Sequence, residues 1–589
     1  NVVVGREVHL RRTVVDKLAG LGIEVSKEYG QIPVVHASVT AEQLQLEALH
    51  TMTEISDIYA VDDGSDQQLL GYAGRESMLE NSLVNGTYTT PPSGGGFAVG
   101  IWEGPTGSGS GVYSGIATNN DRVDFNVHYL VDLDSCTPAT VDIDCPPDIS
   151  GGAVVNYRSC QQIDPVDQPL GYYCVYDHHT FVAASLGMRG TFSYQYDPYP
   201  NATTAVTFDP TGLHEVNLVV GNNNSGMGSD YLLNPSATDP TAPTPLYVNH
   251  SVGPLLASPA KELDRAARDG RNVLYVHASG NEGAAFPADG DAGHNGLSIG
   301  SYDYSRAGFP LDQSYNNLAA HKWSYFSNPG NSIPGRELPH LLGPGAHAPD
   351  TYGLALPDVE STSSGMLYSA HGSVSTTGIQ GTSFAAPAVL AVGMQAHIYE
   401  GWFSLLGRPQ MRKAVLMAST VDVNQDGSIG LSSSSWSASP DAVDGAGQVS
   451  MALLKTVLDQ NSYHYRQLVN GDLASCGTNC RQYNVASLTA TQKVRAALVW
   501  DACPWASAPG VDLANDLDLV LIRTCTLGGS ATVTSDTILS EVEMAEVGPC
   551  SFPSKNNSIQ IKVRIKNGVN LAMCNSESSE PISVAWSRL

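Results

Sequence analysis

No apolar run in this chain approaches the length of a membrane span, and basic residues are scarce: 30 Lys and Arg stand against 58 Asp and Glu, a formal charge of -28 over 589 residues. The first absence leaves no candidate transmembrane helix. The second argues against nucleic acid and anionic membranes as partners, because both would be repelled. The opening residues Asn1-Val2-Val3-Val4-Gly5 carry no basic region and no long apolar stretch. Any signal peptide is therefore expected to be absent already. The glycine-rich Gly104 to Gly111 lacks the Gly-Lys-Ser/Thr ending that a phosphate loop requires, which removes the nucleotide-binding reading.

What remains is ordinary globular material, 42% apolar, and long enough for more than one domain. The acidic balance suits a secreted protein in salty surroundings. The ten cysteines fall in two even clusters, Cys136, Cys145, Cys160 and Cys174, then Cys476, Cys480, Cys503, Cys525, Cys550 and Cys574. That segregation predicts disulfides closed inside separate domains in an oxidising compartment. A zinc site at Cys476-x-x-x-Cys480 is the alternative, but no adjacent Cys or His pair completes four ligands.

Three stretches carry chemistry. Gly381-Thr382-Ser383-Phe384-Ala385-Ala386-Pro387 opens an apolar run to Met394, which predicts a helix buried on every side. Proline belongs in a first helical turn, so Pro387 sets the predicted helix start close to Ser383. A serine at a helix N-terminus is a nucleophile candidate, since the positive end of the dipole favours an anionic intermediate; an N-cap on a core helix is the plain alternative. The strand-like Asn272 to Ala278 runs into Ser279-Gly280-Asn281-Glu282-Gly283, a turn that holds an amide donor at a strand end. Upstream, Asp177-His178-His179-Thr180 places a histidine at the start of a small-residue helix, where a general base would stand.

Together these motifs resemble the subtilisin family of serine proteases, over roughly residues 96 to 456. The resemblance implies a parallel α/β catalytic domain, with Ser383 as nucleophile, His178 as base and Asn281 as oxyanion donor. Val248-Asn249-His250-Ser251-Val252-Gly253 looks like its substrate-binding strand, which puts Ser251, Val252 and Gly253 along an extended peptide. Phe326 to Gly330, Gly343-Pro344-Gly345 and Asp444 to Val449 look like later landmarks. Where the family has an aspartate at a strand end, this chain has Glu103, which gives the order acid, histidine, serine. A glutamate can orient an imidazole if the backbone makes room for one more methylene; Asp121 and Asp124 are the alternatives. Phe181 and His179 depart from the family's histidine motif. No cofactor is needed for such chemistry.

The flanks complete an expected domain plan. Residues 1–66 read as an α+β unit, with Val14, Val15, Leu18 and Leu21 on one helical face and a Thr40–Gln43 capping box opening a second helix. It resembles the family's ferredoxin-like pro-domain, which implies an inhibitor of its own protease. Residues 67–95 read as linker with a processing site, 96–456 as the catalytic domain, and 457–589 as a β-sandwich resembling a jelly roll. Asp422, Asn424 and Asp426 look like half of a calcium loop, but Ser433 stands at the twelfth position; structural calcium and a polar turn both fit. Asp516 and Asp518 read as a solvated strand edge, with calcium as the alternative. Protein or peptide substrates follow from the resemblance. A silent member that only binds proteins or glycans, and a glutamate-using peptidase of the sedolisin type, are the competing readings.

Overall fold

In the computed structural model, the described residues are 2–5, 11–28, 34–38, 40, 43 and 55–59; 98–103, 112–115, 125–130, 172–175, 182, 190–195, 203–208 and 216–222; 244–251, 264, 267–268, 272–283, 295–303, 321–328, 338–346, 356–361, 367–375, 381–399, 408–421, 423 and 445–469; and 481–489, 491–501, 517–525, 529–535, 541–550, 557–565 and 579–589.

The N-terminal unit contains β1 (Val2–Gly5), α1 (Arg11–Gly20), β2 (Glu24–Glu28), β3 (Val34–Ser38) and β4 (Ile55–Tyr59). They form an antiparallel sheet in the order β2-β3-β1-β4. Val14 and Leu18, one turn apart on α1, are buried together with Ile23. The capping box is present in both directions. Thr40 N–H donates to Gln43 Oε1 at 2.8 Å, and Gln43 N–H donates to Thr40 Oγ1 at 3.2 Å.

The central unit is built on β5 (Ala98–Glu103), β6 (Phe125–Leu130), β7 (Val216–Asn222), β8 (Tyr247–His250), β9 (Leu274–Ala278), β10 (Leu297–Asp303), β11 (Lys322–Trp323), β12 (Leu341–Ala346), β13 (Thr420–Val421) and β14 (Gln448–Val449). Their order is β13-β14-β12-β10-β9-β8-β5-β7-β6, with β11 off the path beside β10. Every pairing from β6 across to β14 is parallel; β11 and β13 run antiparallel. Parallel strands in the middle of such a sheet are buried on both faces, and all residues of β8, β9 and β10 are buried, the polar Asn249, His277, Ser298 and Ser301 among them. The strand order reverses at β5, with β6 and β7 on one side and β8 on the other, which makes the carboxyl ends of β5 and β8 the expected crevice.

Among the described residues the unit also carries the helices α2 (Thr382–Tyr399), α3 (Pro409–Ala418) and α4 (Met451–Asp459). The predicted all-round burial of α2 holds, since residues 381–397 are buried throughout. It packs on β12, β10 and β9. Gly343 permits that approach, because a Cβ there would lie 2.5 Å from the Ala385 carbonyl oxygen.

The C-terminal unit contains β15 (Tyr463–Leu468), β16 (Arg481–Leu488), β17 (Val494–Trp500), β18 (Leu517–Cys525), β19 (Gly529–Ser535), β20 (Val542–Val547), β21 (Asn557–Ile565) and β22 (Glu580–Arg588). They make two antiparallel sheets, β15-β22-β17-β20 and β16-β21-β18-β19. The predicted alternation places Ile559, Ile561 and Val563 in the core with Leu498, Leu519, Leu521 and Val584. A disulfide joins Cys525 to Cys550 within the C-terminal cysteine cluster. The solvated-edge expectation for Asp518 fails. Strand β18 lies between β21 and β19, and Asp518 is fully buried, with Arg564 Nε donating to its Oδ2 at 2.6 Å. An alternating strand pattern marks which residues share a face but not whether the strand is flanked on both sides.

Candidate active site

Strand register brings the site together before any side chain is considered. His250 is opposite Trp102 and also opposite His277, so Ser251, Glu103 and Ala278 follow at one level at the carboxyl ends of β8, β5 and β9. The loop after β9 then carries Gly280 and Asn281. Gly280 adopts φ 108°, and a Cβ on it would meet Asn328 Nδ2 at 2.2 Å, so only glycine fits this turn. The turn is fastened from the 321–328 segment: Asn328 N–H donates to the Gly280 carbonyl at 3.2 Å and Gly283 N–H to the Phe326 carbonyl at 2.7 Å. Glu282 N–H donates to Asn328 Oδ1 at 2.8 Å, while the Glu282 carboxylate accepts from Asn328 Nδ2 at 2.6 Å and from Asn281 N–H at 3.0 Å.

This scaffold fixes which way Asn281 faces. Its Oδ1 accepts from Thr382 N–H at 2.8 Å and from Thr382 Oγ1 at 2.9 Å. A backbone N–H can only donate, so the oxygen must be the atom turned toward Thr382. The Nδ2 group is left with no acceptor among the described residues, on an exposed side chain. Thr382 is the participant that the sequence reading missed. Its place beside Ser383 in the same motif was the available signal.

Ser383 follows as the second residue of α2 and is 6% exposed. Its N–H is one of the helix-start donors without an intrahelical acceptor. Its Oγ donates to the Ser251 carbonyl at 2.8 Å, and Ser251 Oγ donates to the Ser383 carbonyl at 2.8 Å, itself accepting from Asn249 Nδ2 at 2.8 Å. This reciprocal pair explains a departure from expectation. Pro387 is the sixth helical residue rather than a first-turn one, so it deprives the Ser383 carbonyl of its intrahelical donor. The hydroxyl of Ser251 supplies that missing bond.

Replacing Ser251 with alanine should therefore destabilise the fold by about 1–3 kcal/mol, the usual range for orphaning a buried acceptor. Adding Pro387→Ala should recover much of the loss, by returning an N–H to the Ser383 carbonyl. Urea unfolding of the two variants measures this, and equal losses in both would sink the explanation.

The histidines beside the site are core groups. His250 and His277 are buried and stack at 4.9 Å, and Tyr275 lies 6.0 Å from His250. Burial, reinforced by the adjacent His277, holds the His250 pKa well below the ordinary imidazole range.

Of the sequence-predicted residues, Ser383, Asn281 and Ser251 are brought together. Glu103 ends β5 at the same level by its backbone. His178, Val252, Gly253, Asp422, Asn424, Asp426 and the 67–95 linker lie outside the described residues, as do Asp121, Asp124 and Asp516. Among the described residues no three His, Cys, Asp or Glu side chains gather as a metal site, and no helix is long and apolar enough to cross a membrane.

The sequence resemblance implied a serine at the start of a buried helix and an asparagine after a parallel strand; the lock between them through Thr382 is what the structure adds. Residues 215–440 match the subtilase family. The subtilase match spans less than half of the chain and begins beyond Glu103 and His178. Similar solved structures include proteases from Pseudoalteromonas arctica PAMC 21717, at 14% identity over 68% of this chain and 98% of that one, with a TM-score of 0.38. Others are the patellamide maturation protease PatA, 16% identical over 62% and 98% of the two chains with a TM-score of 0.34, and the S41 psychrophilic protease, 15% identical over 66% and 99% with a TM-score of 0.35. The comparison with curated proteins returns no match.

Proposed function

We propose that the protein is a secreted serine endopeptidase of the subtilisin type, cleaving protein or peptide substrates through an acyl-enzyme. The observation that carries this reading is the pinned Asn281 amide, whose donor group is left open beside the helix-start serine. In the proposed reaction Ser383 Oγ gives its proton to His178 and attacks the substrate carbonyl. The oxyanion takes hydrogen bonds from Asn281 Nδ2 and Ser383 N–H, while Glu103 orients the imidazole and stabilises its charged form. Collapse of the intermediate breaks the peptide C–N bond, with His178 returning the proton to the leaving amine. Water then attacks the ester with His178 again as base, which releases the second product and restores Ser383. Ser251, Val252 and Gly253 would pair with the extended substrate backbone.

The same reading assigns the N-terminal unit as an inhibitory pro-domain separated by a cleavable linker. Its β2-β3-β1-β4 order and its Thr40–Gln43 box support a ferredoxin-like fold. The sandwich order, first-eighth-third-sixth in one sheet and second-seventh-fourth-fifth in the other, supports a jelly roll. Calcium at Asp422, Asn424 and Asp426 would be structural and take no part in the reaction.

A fluorophosphonate probe followed by intact-mass measurement tests the reading. A single adduct is expected that disappears in Ser383→Ala, and its appearance on a species lacking the N-terminal unit would support the pro-domain assignment. If the chain stays unlabelled even after that unit is trimmed away, the protease reading fails and a silent, binding-only protein takes its place.

A further inference from the structure

Glu541, Asp501 and Glu580 of the C-terminal sandwich all meet the central unit at buried positions around α3, and the way each is answered differs. Glu541 Oε1 lies 2.6 Å from Lys413 Nζ and 3.1 Å from His340 Nε2. Lys413 also donates to the Gly296 carbonyl at 2.7 Å. Ser298 N–H sits 2.9 Å from His340 Nδ1. Since that N–H must donate, Nδ1 carries no proton. The ring is therefore neutral, with its proton on Nε2 facing Glu541. Lys413 and Glu541 thus balance, and His340 adds no charge.

The second group is centred on Arg268 and Asp501. Arg268 holds Glu580 through both guanidinium nitrogens, at 3.3 and 3.2 Å, and Nη1 donates to the Asp501 carbonyl oxygen at 2.8 Å. The Asp501 carboxyl itself meets the neutral amide of Gln410 on α3. Asp264, buried four residues before Arg268, adds a like charge nearby while accepting from Asn295 N–H at 2.7 Å. Asp501 is 4% exposed. A buried carboxylate facing a neutral amide is relieved most readily by taking up a proton.

We propose that the sandwich is clasped to the central unit by a proton held on Asp501, so that the two units dock most tightly in mildly acidic medium and loosen toward neutral pH. The electrostatics agree. Burial, aided by Asp264, outweighs the opposing effects of Arg268, Gln410 and Lys413 and raises the Asp501 pKa from 3.8 to about 7. With the folded value above the unfolded one, the docked state binds more protons between them. Stability is then fully present below the lower value and is lost as pH rises to the upper one. The proposal is independent of whether Ser383 hydrolyses peptides.

Hydrogen exchange in the full chain, read at the amides of α3 and β17 and corrected for intrinsic rates, tests it. The opening constant should rise by up to about tenfold per pH unit between about pH 4 and pH 7 and then level off. Asp501→Asn, which mimics the protonated carboxyl, should flatten the profile. Identical slopes in the wild type and Asp501→Asn would overturn the proposal. Should that variant fail to fold, Gln410→Leu removes a hydrogen bond that favours the charged form and should move the plateau to higher pH. An unmoved plateau would equally overturn it.

Discussion

Ser383→Ala is expected to lower kcat for a peptide substrate by about a millionfold, and Asn281→Ala by about a hundred- to a thousandfold, with KM little changed in either. Both magnitudes are calibrated on a subtilisin, and both follow from what each group would do. Without the Ser383 oxygen no acyl-enzyme forms, and only binding and the remaining oxyanion donors are left to act on water. In the proposed mechanism Asn281 acts where the oxyanion charge develops. Its amide is already held in place by Thr382, so no reorganisation is needed when charge develops, and deleting it removes about 2.7–4 kcal/mol of stabilisation from the transition state alone. An interaction made only in the transition state lowers kcat and kcat/KM together. Steady-state kinetics on both variants checks this. Unchanged kcat in Asn281→Ala would remove the amide from the mechanism, and a raised KM with unchanged kcat would turn it into a ground-state binding group.

Much of this arrangement was legible in the sequence because local physics and chemistry coincide there. The α2 run is apolar on every side, which identifies a buried helix whatever surrounds it, and the Gly280 turn announces itself by its glycines. The β-rich C-terminal region was likewise readable from Ile559, Ile561 and Val563, which alternate toward the core. What local pattern could not supply was long-range pairing. Pro387 reads as a first-turn residue until Ser251, 132 positions before Ser383, is seen to take the place of the lost donor. Asp518 reads as solvated until its strand acquires neighbours on both sides. Thr382 reads as spacing within the serine motif until Asn281 Oδ1 comes to rest on it. In each case the deciding partner is far away in sequence and chemically ordinary, so nothing at the position itself signals it. The buried charges at the sandwich interface are the extreme case, since the sequence reading singled out neither Lys413 nor Glu541.

Lys413→Met should destabilise the protein by about 3–5 kcal/mol, because it takes the 2.6 Å ammonium partner away from the fully buried Glu541 carboxylate. Lys413→Met combined with Glu541→Gln should recover most of that loss, since the penalty lies in the abandoned charge rather than in the missing pair. Chemical denaturation of the two variants measures the difference, and equal losses would show that packing, not charge, is what Lys413 supplies. The effect should also reach the site. Adjacent Arg412 donates to the carbonyls of Leu246 and Asn272, which precede β8 and β9, and packs over the Tyr247 ring at 4.9 Å. Burial lowers its pKa to about 10, so it remains a cation at neutral pH and keeps those bonds. One helix thus grips the sandwich through Lys413 and, through Arg412, the starts of the two strands whose far ends carry Ser251 and Asn281. Displacing α3 by loss of the Lys413 pair should therefore lower kcat under conditions where the protein is still folded, and the double variant should restore it in parallel with stability. A stability loss with kcat fully preserved would separate the clasp from the strands of the candidate site.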